Sequence, residues 1–191
     1  VQAVFSGTGV KATLLGPVRT VTYSRKGRPI TTVVPNRFRF KVVAEKEAAP
    51  GLRALRVASA YRLSEPVGFD VSDMPELVEP FTNRASASEY AVDALPVCLN
   101  GRIDGSAGDR YRVQAKKGST LVAFTDSGAL PKGGFLPVLT FTDPAGKPCE
   151  GVTVYDAESA PVAVFEVPED GLYMLHVASA SGTGGDACVY R

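Results

Sequence analysis

The run Asp109-Arg110-Tyr111-Arg112-Val113-Gln114-Ala115 constrains the chain more than any other stretch. Apolar and polar residues alternate without a break. Tyr111, Val113 and Ala115 share one face, and Arg110, Arg112 and Gln114 the other. A period of two excludes an amphipathic helix and defines a strand with one buried and one wet face. Just upstream, Leu99-Asn100-Gly101-Arg102-Ile103 reads as a short strand, and Asp104-Gly105-Ser106-Ala107-Gly108 as the glycine-rich loop between the two.

Further strands are predicted at 97–103, 120–125, 138–142, 153–155, 162–167, 171–178 and 187–190. Asp143-Pro144-Ala145-Gly146 and Pro168-Glu169-Asp170-Gly171 act as turn signals between them. Tyr173, Leu175 and Val177 share a face. About eight short strands close most naturally as a jelly-roll-like sandwich. Before them, strands are predicted at 2–5, 11–15, 19–23, 30–34, 37–44, 53–58 and 67–71, with no helical period. Phe38 and Phe40 alternate with Arg37, Arg39 and Lys41 and are expected to face inward. The Pro50-Gly51 turn is expected to join that strand to 52–57 as a hairpin. This pattern reads as an immunoglobulin-like sandwich. The proline- and acid-containing segment 73–83 suits an extended linker, and 84–93 a brief helical turn. The expected fold class is therefore all-β, with two β-sandwich domains, immunoglobulin-like (1–72) then jelly-roll-like (94–191), joined by a linker at 73–93.

With 191 residues and 45% hydrophobic content, the chain can bury real cores. Its net charge of +1 gives no global pull toward nucleic acid or an anionic membrane. The basic patch Arg25, Lys26 and Arg28, flanked by Arg19 and Arg37, reads as a solvated loop and edge strand. No run approaches the ~20 apolar residues of a membrane span. The chain opens in strand character at Val1-Gln2-Ala3-Val4-Phe5, which reads as an excised or mature piece of something longer. There is no C-x-x-C pair to suggest zinc or redox chemistry.

From 79 to 191 the chain resembles the bacterial pre-peptidase C-terminal domain. The matching stretches are N-G-R-I-D, then G-D-R-Y-R-V-Q-A-K-K-G-S-T-L, then F-L-P-V-L-T-F-T-D-P-A-G-K-P, ending in F-E-V-P-E-D-G-L-Y-M-L-H-V. The first region resembles the immunoglobulin-like module that often precedes it, on G-L-R-A-L-R-V and S-E-P-V-G-F-D-V. The resemblance implies a β-sandwich accessory module of a secreted protein, located outside the cell, in the periplasm or at the surface. In some relatives calcium lies near the module's entry. The corresponding oxygen donors here are Glu79, Asn83, Asp104 and Asp109, few for an ion that takes six to eight. The usual acidic entry is replaced by Glu79-Pro80-Phe81-Thr82-Asn83, and only Asp109 precedes Arg110-Tyr111.

His176, the sole histidine, lies opposite Tyr173 and Leu175 in the alternation and is expected to be wet. It has no nucleophile motif beside it. The loop from Ser179 to Asp186 lacks the Lys and following helix of a phosphate cradle. Glu166, Glu169 and Asp170 flank a turn, whereas a glycosidase needs two carboxyls across a cleft. Cys98 and Cys188 sit on the first and last strands of the second module. Those strands neighbour each other in a jelly roll, so a disulfide and a pair of thiols are both open. No catalytic residue and no cofactor is indicated, apart from calcium. The expected function is a non-catalytic accessory or binding fragment. Its partners would be other domains of the same polypeptide and extracellular polysaccharide or protein, not nucleic acid. The alternative is a dedicated carbohydrate-binding module, with Tyr61, Tyr90 and Arg112 as candidate contacts, and more remotely a glycoside hydrolase.

Overall fold

A computed structural model describes residues 1–79, 88–125, 136–155, 160–185 and 188–191. The described residues form strands and no helix, and they divide into two compact units, Val1–Val71 and Ser72–Arg191. The sheets are those of an all-β, sandwich-like protein.

The first unit holds β1 (Gln2–Phe5), β2 (Val10–Tyr23), β3 (Pro29–Ala44), β4 (Gly51–Ala58) and β5 (Val67–Val71). Strands β1, β4 and β5 make an antiparallel sheet in that order, while β2 and β3 pair only with each other. Five strands thus replace the seven predicted. The segments 11–15 and 19–23 are one strand, as are 30–34 and 37–44. They run past Pro17 and Pro35 because irregularities between Leu14/Gly16 and Pro17/Arg19 absorb the mismatch. Proline, lacking an N–H, is tolerated at such bulges and on strands with an open edge, and both ribbon strands have one.

The expected Pro50-Gly51 hairpin is absent. Its first strand pairs with β2, and Gly51–Ala58 pairs with β1 and β5. Alternation fixes which residues share a face but not which strand lies alongside. Nor are Phe38 and Phe40 in a core: Phe38 is 39% exposed and Phe40 half-buried. Val71 is the one fully buried residue of this unit.

The second unit contains β6 (Glu76–Val78), β7 (Ser88–Val92), β8 (Cys98–Arg102), β9 (Asp109–Ala115), β10 (Thr120–Phe124), β11 (Pro137–Thr142), β12 (Val152–Tyr155), β13 (Val162–Glu166), β14 (Gly171–Ser179) and β15 (Val189–Tyr190). One sheet has the order β11-β14-β9-β7, a second β10-β13-β12, and a third β15-β8-β6. The alternation in β9 is realised in full: Tyr111, Val113 and Ala115 are buried and Arg110, Arg112 and Gln114 exposed. Facing them on β14, Tyr173, Leu175 and Val177 are buried too, in register with Val113, Tyr111 and Asp109. Leu139 and Phe141 of β11, and Leu121, Ala163 and Phe165 of the second sheet, complete the core. Phe165 is 1% exposed and lies 5.6 Å from the Phe141 ring and 5.1 Å from that of Tyr173.

The described parts of 73–93 form strands rather than a free linker. Glu76–Val78 pairs in parallel with β8, and Ser88–Val92, expected as part of a helical turn, pairs in parallel with Asp109–Val113 of β9. Short polar-apolar mixtures carry little intrinsic preference, and the open edge of β9 offers backbone partners that a brief helix lacks.

Candidate functional site

Polar chemistry in the second unit converges where β6, β7, β8, β9 and β15 meet. Glu79, directly after β6, is 7% exposed. Its Oε1 accepts the Tyr90 hydroxyl at 3.0 Å, and its Oε2 accepts the backbone N–H of Arg102 at 2.9 Å. Asp109, the first residue of β9, is 4% exposed, and its Oδ2 accepts the Tyr190 hydroxyl at 2.8 Å. Tyr190 Oη lies 2.6 Å from Tyr111 Oη. A phenol has one proton, and that of Tyr190 goes to Asp109, so Tyr111 donates to Tyr190. The Arg102 guanidinium pairs with Asp104. The Tyr111 ring lies between those of Tyr90 and Tyr190, with centroids at 5.5 and 6.5 Å.

This cluster shifts proton affinities. Burial pushes the Asp109 carboxyl up from 3.8 to about 6; the Tyr190 hydrogen bond opposes this, and the charges of Glu79 and Asp104 add to it. Desolvation raises Tyr111 and Tyr190 above the ordinary phenol range, so both stay neutral in any physiological medium.

Gly101 makes room for this arrangement. A Cβ there would sit 2.2 Å from Tyr190 Oη and 2.4 Å from its Cζ. Gly101→Ala is expected to displace the ring from Asp109 and cost about 1–3 kcal/mol, the usual range for overpacking. Denaturant titration of the full chain measures this; an unchanged midpoint would show that Tyr190 does not cover Gly101.

The structure thus gathers Glu79, Asp104, Asp109 and Tyr90, while Asn83 lies outside the described residues. Oxygens of all three carboxylates already accept from Tyr90, Arg102 and Tyr190, and among the described residues no three His, Cys, Asp or Glu side chains are placed to hold a metal ion. Arg112 is elsewhere, on the exposed face of β9, 3.1 Å from Glu89. Tyr61 belongs to the other unit and is 95% exposed.

Cys98 opens β8, whereas Cys188 lies just before its neighbour β15, and no disulfide joins them. Register is the reason. The Cys188 carbonyl accepts from the Ile103 N–H, five residues along from Cys98. Five residues of strand span roughly 17 Å, far beyond the ~7 Å that a bridge permits. Denatured, unreduced protein should therefore take up three alkyl groups by mass; uptake of one would establish a bridge.

His176 is half-buried rather than wet, with Nε2 donating to the Ala107 carbonyl at 2.7 Å beside Gly108. Asp170 Oδ1 accepts the Lys117 N–H at 2.7 Å and so secures its turn. In the glycine-rich loop, Ser179, Ser181 and Thr183 join hydroxyls at 2.8 Å, and Gly185 donates to Ile103; Asp186 lies outside the described residues.

Sequence reasoning missed Tyr190 as the polar partner of both Asp109 and Tyr111. It lies 81 and 79 residues from them and is their neighbour only through strand order. Comparison with protein-family models, with curated proteins and with solved structures returned no match.

Proposed function

We propose that the chain is a non-catalytic accessory segment of a larger exported or surface protein. In this reading the second unit is a jelly-roll-like sandwich of the pre-peptidase C-terminal type, preceded by an immunoglobulin-like module. The segment holds neighbouring domains of its polypeptide in place and binds extracellular polymer or protein. One observation carries the reading: Glu79, Asp109, Tyr90, Tyr111 and Tyr190 spend their hydrogen-bonding capacity on one another in the interior. Carboxylates committed in this way fasten β6 and β15 to β8 and β9 rather than face a substrate cleft.

The test is a panel of peptidase, glycosidase and esterase substrates run alongside a glycan array and matrix-protein binding, all on the full chain. Binding without turnover is expected. Turnover abolished by a point substitution in this chain would overturn the proposal. Tyr61, at 95% exposure, favours a second reading as a carbohydrate-binding module. An exposed aromatic ring offers an apolar face with a polar tip, and Tyr61→Ala should then weaken array binding.

A further inference from the structure

Charge is segregated between the two units. The first carries twelve Lys and Arg against four Asp and Glu, the second nine against sixteen, so a net charge of +1 conceals about +8 and −7. Within the first unit the excess lies on the β2–β3 ribbon. Residues 10–44 hold eight basic side chains and no acidic one. Lys11 pairs with Glu45. Among the described residues, no ion pair involves Arg19, Arg25, Lys26, Arg28, Arg39 or Lys41.

The geometry points to a docking track for an acidic polysaccharide along this ribbon; we propose it as the polymer contact of the binding function above, on which it rests. The distal part stands clear of any core, with every residue of 19–23 and 25–33 exposed. At its tip the Ser24 N–H donates to the Arg28 carbonyl, and the Gly27 and Arg28 N–H groups donate to the Ser24 carbonyl and Oγ, at 2.9–3.0 Å. That turn presents Arg25, Lys26 and Arg28 to solvent as a fixed group. Below it, Thr20 faces Thr32, and Thr22 shares their side of the ribbon, which places hydroxyls between the basic tip and the basic pair Arg39 and Lys41. Charge spread along an extended ribbon matches a linear polyanion better than a compact anion, which needs converging donors.

Two rival explanations are weaker. Guarding a sheet edge against association takes charge of either sign, whereas a one-sign run repels itself and calls for a counter-charge. Single-stranded nucleic acid needs a series of aromatic platforms along the basic track; Phe38 and Phe40 alternate with Arg39 and Lys41 and so lie on the opposite face, which leaves Tyr23, 74% exposed near the tip, as a single ring. Sugar hydroxyls and acidic groups ask only for the threonines and basic side chains.

The full chain should bind heparin and polygalacturonate, representing sulfated and carboxylated polysaccharides, with affinity that falls steeply as salt rises. The variant R25A/K26A/R28A changes only exposed side chains and should bind at least tenfold more weakly. A second variant, R39A/K41A, should weaken binding through the other end of the track. Binding unchanged in both variants overturns the ribbon assignment. Tighter binding to single- or double-stranded DNA than to heparin overturns the polysaccharide in favour of nucleic acid. Salt-sensitive dimers by light scattering that polysaccharide does not dissociate would show that the acidic unit of a second copy occupies the ribbon instead. Binding to neutral glycans alone overturns this inference and leaves the proposed function standing; binding to nothing overturns both.

Discussion

Phe165→Ala is expected to cost the second unit about 3–5 kcal/mol, the loss typical of a fully buried phenylalanine truncated in a packed core. Phe165 is 1% exposed and lies between the rings of Phe141 and Tyr173, which belong to the facing sheet. Removing it leaves a cavity between two sheets whose positions are held by backbone ladders. Collapse into the space is therefore limited, and both ring contacts are lost together. Urea unfolding followed by far-ultraviolet circular dichroism measures the effect, since the chain has no tryptophan. The two units need not unfold together. The first, with Val71 as its one buried residue, should melt at lower denaturant, and the substitution should move only the later transition. A loss below about 1 kcal/mol would mean that the ring is not enclosed between the sheets.

Asp109→Asn is expected to stabilise the second unit at pH 7.5 and to remove much of its pH dependence. The folded-state carboxyl has its pKa raised to about 6, chiefly by burial, against 3.8 for the unfolded chain. Between those values the folded protein holds a proton that the unfolded chain releases, so stability falls as pH rises from about 4 toward 6 and stays low above that. The difference corresponds to about 3 kcal/mol between the two ends of the window. Asparagine keeps an oxygen to accept from Tyr190 and carries no charge to desolvate. The variant should therefore exceed the parent by an amount that is largest above pH 7 and shrinks toward zero near pH 4. Comparing the two proteins at each pH cancels the other carboxylates, including Glu79 and Asp104, whose charges also bear on Asp109. A variant less stable than the parent by the same amount at every pH would show that hydrogen bonding, not burial of charge, dominates there.

Much of the second unit was legible in the residues alone. The bounds of β9 and the inward set Tyr111, Val113 and Ala115 follow from a side-chain period of two, which is a local property of the backbone. The same logic identified Tyr173, Leu175 and Val177 on β14. In the first unit it failed where it was asked for more than a face. Phe38 and Phe40 do share a side of their strand, yet no second layer encloses them. Glycine and proline punctuation at Pro17 and Pro35 marked bulges inside long strands rather than their ends. The +8 and −7 of the two units were present in the composition and were averaged away until a boundary between units was drawn.

The sequence by itself determined the all-β class, most strand positions in the second unit, and the apolar face of each regular strand, because alternation acts between residues two apart. Only the tertiary structure decided which strands are neighbours, and with them three outcomes: Glu79 and Asp109 joined to Tyr90, Tyr111 and Tyr190, the two cysteines held apart along β8, and the basic ribbon left uncovered. Strand order and register depend on how whole faces and backbone edges are matched across the chain, and no local window of residues encodes that matching.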